Sequence, residues 1–175
     1  MFNFDNHKIK IFTDGANLDS IIKLAKDDFI DGITTNPTLM RRSGVTNYMT
    51  FANSAVKASQ GKSISLEVFS DNLDKMIDQA RILSGLGKSV YVKIPITNSQ
   101  GDSTSRVIKQ LLNEHIKVNI TAVLSYSQID ECISNLQDNS FAYISIFAGR
   151  IADTGINPTL FIDYAINKLK NKNLN

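Results

Sequence analysis

Six short stretches of this 175-residue chain set polar side chains at every second position of an otherwise β-branched or bulky apolar run. Strand side chains alternate between faces, so each stretch reads as a strand with one apolar face and one face of chemical groups. In residues 64–68, Ser65 and Glu67 point away from Ile64, Leu66 and Val68. Residues 118–122 do the same with Asn119 and Thr121, and in residues 144–147 Ser145 and Phe147 oppose two isoleucines. Phe12 and Asp14 share a face near the start, and residues 32–37 add Thr34 and Asn36. The sixth stretch, residues 90–96, is interrupted by Lys93, where a cation is costly to bury. A lysine held neutral there is a nucleophile; the rival reading is a strand lysine whose stem packs while its ammonium reaches water.

Helical periods lie between these strands. Leu73, Met76, Ile77, Ala80 and Leu83 repeat at helical spacing before Gly85 and Gly87 end the pattern. Val107, Ile108, Leu111 and Leu112 form a second apolar face, and Ile129, Cys132, Ile133 and Leu136 a third. Asn157 and Pro158 read as the N-cap and first turn of a helix carrying Ile162, Ala165, Ile166 and Leu169. This alternation requires a mainly parallel sheet. A doubly wound sheet is covered by helices on both sides, so its strands are apolar throughout. These strands are not, and the expected fold is an α/β (β/α)8 TIM barrel, whose inward residues near the strand carboxyl ends form the catalytic cup. Asp14, Asn36, Glu67, Lys93, Thr121 and Phe147 lie at or near those ends. A barrel usually takes ~250 residues in eight units, whereas about six are counted here, in one domain over residues 1–175. The expectation is a C-terminal truncation that lacks the last two β/α units; a six-unit open sheet, or completion by another chain, stays open.

Composition narrows the function classes. At 42% hydrophobic and 21% charged residues, the chain can bury a core. A net charge of +2, with basic clusters such as Arg41-Arg42 that have no aromatic interleaving, argues against nucleic acid. No run approaches ~18 apolar residues and the first five residues lack a secretion signal, so no membrane partner and a cytoplasmic location are expected. Cys132 lies on an apolar helix face and reads as core. His7 and His115 are isolated from other ligand types, so no metal is expected. The glycines of residues 149–155 do not form the dinucleotide pattern. Basic residues 168–175 read as a fraying helix end.

On successive strands and in this order, Thr34-Thr35-Asn36-Pro37, Val92-Lys93-Ile94-Pro95, Asn119-Ile120-Thr121 and Phe147-Ala148-Gly149-Arg150 resemble the transaldolase and fructose-6-phosphate aldolase family. Asp14 and Glu67 match as well, and the resemblance runs from about Ile9 to the 160s. It implies that Lys93 attacks a ketose carbonyl to form a Schiff base, which needs a depressed pKa. It implies that Asp14 takes the proton of the sugar's C4 hydroxyl, and that Glu67 and Thr121 hold the water used in dehydration and hydrolysis. Asn36 and Asn119 would bind the hydroxyls of the retained dihydroxyacetone unit. Thr34, Ser145 and Phe147 would line the substrate path, and Arg150 would hold a phosphate, which suits its planar fork. No cofactor is implied, because the lysine adduct is itself the electron sink. The implied partners are small-molecule sugar phosphates, with a homo-oligomer left open.

Each role has a structural rival. Asp14 before Gly15 fits a turn or helix cap, and Asn36-Pro37 a turn. Glu67 and Lys93 would also suit a structural ion pair. Phe147 fits a core, and Arg150 a surface. Within the family, transaldolases resemble this chain in having glutamate at the Glu67 position and phenylalanine at Phe147, whereas the aldolases typically have glutamine and tyrosine. Ala122 and Leu124 depart from the bulkier residues common after the Asn-x-Thr motif. The readings carried forward are a transaldolase, a fructose-6-phosphate aldolase-type lyase, and a non-catalytic barrel fragment that binds a sugar phosphate.

Overall fold

In the computed structural model, which describes residues 9–172 and Leu174, six strands alternate with helices in two units. His7 lies outside the described residues. The first unit holds the described residues up to Glu67 together with Ile82–Tyr91. It carries β1 (Phe12–Asp14), α1 (Leu18–Ala25), β2 (Gly32–Thr34), α2 (Pro37–Arg42), α3 (Tyr48–Ala58) and β3 (Ser63–Glu67). β2 pairs in parallel with β1 on one side and β3 on the other, so that Asp14, Thr34 and Ser65 are neighbours across the ladders. On the opposite face Ile33, Ile64 and Leu66 are completely buried. Gly32 is required in this packing: a Cβ there would sit 2.3 Å from the ring of Phe12. Asparagine side chains start all three helices, Asn17 accepting from Ser20 N–H, Asn36 from Leu39 and Asn47 from Thr50, each at 2.9 Å.

The second unit holds Val68–Arg81 and the described residues from Val92 onward. Its elements include most of α4 (Leu73–Ser84) and β4 (Val90–Pro95). They continue through α5 (Ser105–Asn113), β5 (Val118–Val123), α6 (Tyr126–Asn135), β6 (Ala142–Ile146), α7 (Ala148–Asp153) and α8 (Thr159–Asn171). β5 pairs in parallel with β4 and with β6. Val92, Ile94, Val118 and Ile120 are completely buried, as are Val107, Ile108, Leu111, Ile129 and Cys132 on the helices. In each unit every strand is parallel to its predecessor and lies beside it. In the first unit Ile64 N–H, in β3, donates to the Ser89 carbonyl just ahead of β4. In the second, Val68 N–H, just after β3, donates to the Lys93 carbonyl. This sequential parallel order is that of consecutive (β/α)-barrel units, six of the eight in a closed barrel.

Five details depart from the sequence reading. β5 is not an unbroken alternation: Ile120 pairs with Ile144 but Val123 with Ile146, so one extra residue is accommodated in a bulge. Ala122 takes the strain there at φ 61°, in the left-handed region that a bulky side chain tolerates poorly. β6 ends at Ile146, which leaves Phe147 at the start of α7 and 38% exposed, not in the core. The N-cap of α8 is Pro158, although Asn157 Oδ1 still accepts from Thr159 N–H at 3.1 Å. The buried face of α8 is Phe161 and Ala165; Ile162 and Ile166 are exposed instead, beside a cleft of about 640 Å³ that Ile144 and Ile146 of β6 also line. Finally, the basic end does not fray at once: Lys172 donates to the carbonyls of Ile133 and Leu136 at 2.8 and 2.7 Å.

Candidate active site

In the first unit the inward face of the strands brings three candidate groups together. The Asp14 carboxylate accepts from Thr34 Oγ1 at 3.0 Å and from Asn36 Nδ2 at 3.1 Å. Asp14 therefore does not cap α1; Asn17 does. Asn36 does both jobs that its sequence allowed, since Oδ1 caps α2 while Nδ2 donates to Asp14. These two bonds fix the amide's orientation, and Pro37, at the first helical position, pre-sets the turn. Glu67 is half-buried at the end of β3, and its carbonyl accepts from the Tyr48 hydroxyl at 2.8 Å.

In the second unit Lys93 is 8% exposed, with a completely buried residue on either side of it in β4. It is registered beside Asn119, and Asn119 beside Tyr143, so these three share one layer of the inward face. Asn119 is buried, and its Oδ1 accepts from Ser145 Oγ at 2.7 Å. Thr121 stands next to Pro95 one layer nearer the strand ends. Its buried hydroxyl has no hydrogen-bond partner among the described residues. A buried polar atom of that kind calls for an explanation, and a water or substrate atom supplies one. Phe147 and Arg150 line a shallow depression at the start of α7, with Arg150 exposed and 3.8 Å from Asp153. The thiol of Cys132 is pushed up to about 12, mainly by burial, which fits its place in the core. Among the described residues no group of three or more His, Cys, Asp or Glu side chains is placed to hold a metal ion. No described helix is long and apolar enough to cross a membrane.

Sequence reasoning missed three aromatics. Tyr143 shares the inward face with Lys93 and Asn119, Tyr91 stands two residues before Lys93 on β4, and strict alternation within their strands would have found both. Tyr48 belongs to a helix, and nothing in its local pattern marked it.

Sequential parallel βα units, whose inward faces carry an amine, carboxylates, amides and hydroxyls, define a protein of the (β/α)-barrel type with an enzyme-like set of strand-end groups. The family model of transaldolase/fructose-6-phosphate aldolase matches residues 11–173. A "probable transaldolase" of Thermoplasma acidophilum is 35% identical over 157 residues, covering 89% of this chain and 66% of that protein. One of Nitrosopumilus maritimus is 38% identical over 148 residues, 84% of this chain and 62% of its own length. This chain thus spans about two thirds of the length of such relatives. A crystal structure of dihydrodipicolinate synthase aligns over 93% of this chain and 77% of its own, with a TM-score of 0.48 and 11% identity. The chain belongs to the transaldolase/fructose-6-phosphate aldolase family.

Proposed function

We propose that this chain acts as a transaldolase. It moves a dihydroxyacetone unit reversibly from sedoheptulose 7-phosphate to glyceraldehyde 3-phosphate, giving erythrose 4-phosphate and fructose 6-phosphate. The observation that carries this reading is Lys93, almost wholly buried on an inward strand face and registered beside Asn119. Lys93 Nζ, once deprotonated, attacks the ketose C2, and loss of water leaves an iminium. Asp14 takes the proton of the C4 hydroxyl; the C3–C4 bond breaks, its electrons pass to the iminium, and the aldehyde departs. The enamine that remains attacks the carbonyl carbon of the acceptor, Asp14 returns the proton to the new alkoxide, and hydrolysis frees Lys93. Glu67 and Thr121 position the water. Asn36 and Asn119 bind the retained hydroxyls, Thr34, Ser145 and Phe147 line the path, and Arg150 receives the phosphate. Glutamate at 67 and phenylalanine at 147 support transfer over simple aldol cleavage. The reading places the chain in the cytoplasm and in the pentose phosphate pathway, with no cofactor.

Incubating the full-length protein with fructose 6-phosphate and borohydride tests the covalent step. A reduced dihydroxyacetone adduct on Lys93, located by mass spectrometry, is expected. An unmodified Lys93 in folded protein overturns the reading. Transfer to erythrose 4-phosphate distinguishes a transaldolase from a lyase, which would release free dihydroxyacetone.

A further inference from the structure

The end of β3 lacks a donor that a parallel ladder would supply. Thr35 N–H, just past β2, donates to the Ser65 carbonyl at 3.1 Å. Two residues on, the donor for the Glu67 carbonyl falls to position 37, which is proline and has no N–H. The hydroxyl of Tyr48 donates to that carbonyl instead, at 2.8 Å, from the first turn of α3. α3 is itself anchored by the Asn47 cap and by buried Phe51, Ala52 and Ala55, so the phenol is delivered from a fixed element. We infer that Tyr48 is a positioning residue: by holding the Glu67 main chain where the ladder has run out, it sets the place from which the Glu67 carboxylate handles water. This role rests on the transaldolase reading of Glu67. Burial, and then the negative charge of Glu67, raise the Tyr48 pKa, so the phenol stays protonated and remains a donor. Glu67 is the last residue of its strand, and a carboxylate there is only as well placed as its main chain. Displacements of an ångström at such a group cost up to roughly a hundredfold in rate.

The test measures the rate of borohydride-trapped adduct formation on Lys93 with fructose 6-phosphate in the full chain. Native protein is compared with Tyr48→Phe, Glu67→Gln, the double variant and Tyr164→Phe, all well below their melting temperatures. Tyr164→Phe removes a phenol that bonds Asp130 on α6, far along the chain from the proposed chemistry. Tyr48→Phe is expected to slow adduct formation by roughly ten- to a hundredfold, with the adduct still detectable in Glu67→Gln. The double variant should be no slower than Glu67→Gln alone, because both changes remove one function. Tyr164→Phe should keep the native rate. The inference is overturned if Tyr48→Phe matches Tyr164→Phe, or if the losses of Tyr48→Phe and Glu67→Gln multiply. A native rate in Glu67→Gln removes the role of Glu67 and that of Tyr48 with it, and no adduct in native protein removes the transaldolase reading itself.

Discussion

Asn36 and Thr121 are two residues whose structural and chemical roles separate under the right substitution. Asn36 caps α2 with Oδ1 and holds Asp14 with Nδ2. Serine is also a good N-cap but has no second donor of that reach. Asn36→Ser should therefore keep stability within about 0.5 kcal/mol, whereas Asn36→Ala should lose about 1 kcal/mol. Both should depress turnover, and urea melts read beside activity assays check the split. Thr121 offers the converse case. Its hydroxyl is buried without a partner among the described residues, so replacing it with valine removes an unmet polar atom. Thr121→Val should be at least as stable as native protein. If the hydroxyl holds water, the same variant traps the Lys93 adduct more slowly; an unchanged rate would make Thr121 a bystander.

Among the elements, the first two strands are fitted by a void of side chain. Gly32 lies under the Phe12 ring, and a methyl group there would collide with it at 2.3 Å. Gly32→Ala should cost roughly 1–3 kcal/mol by overpacking, and Phe12→Leu in the same chain should recover part of the loss in thermal melts. The strands and their polar faces were legible in the sequence because a two-residue period survives short lengths. That period alone puts Lys93, Asn119, Thr121 and Ser145 on the polar faces of their strands. The bulge was barely legible: residues 118–122 alternate on paper, the adjacent apolar pair Ala122-Val123 only ends the pattern, and it is the pairing of Val123 with Ile146 that shows the extra residue. Pattern also misjudged α8, since Ile162 and Ile166 fit an apolar stripe whether or not an element packs over them. The Tyr48 contact was hidden for another reason. It spans nineteen positions and answers a donor missing from a third segment, a relation that no local window contains.

At the scale of the molecule, ion pairs tie helix to helix outside the core. Arg81, on α4, donates to both oxygens of Glu114, which closes α5, and holds that carboxyl down at about 2. A carboxylate with a depressed folded-state pKa favours the fold above its ordinary range and loses that contribution as pH falls through the depressed value. Arg81→Gln should therefore lower the urea midpoint near neutral pH, and the gap from native protein should close at about pH 2. The gap should also be small, because the two side chains are 46% and 32% exposed. α8 is joined to α6 by a different arrangement. Lys168 pairs with Asp130 at 2.9 Å, and the Lys172 ammonium gives its protons to main-chain carbonyls where α6 ends. Such a nitrogen is poorly available to an electrophile. In amine-labelling experiments with an acylating reagent, Lys172 should react later than its neighbour Lys170, and once acylated it can no longer supply three protons, so α8 should come loose from α6 in the modified fraction.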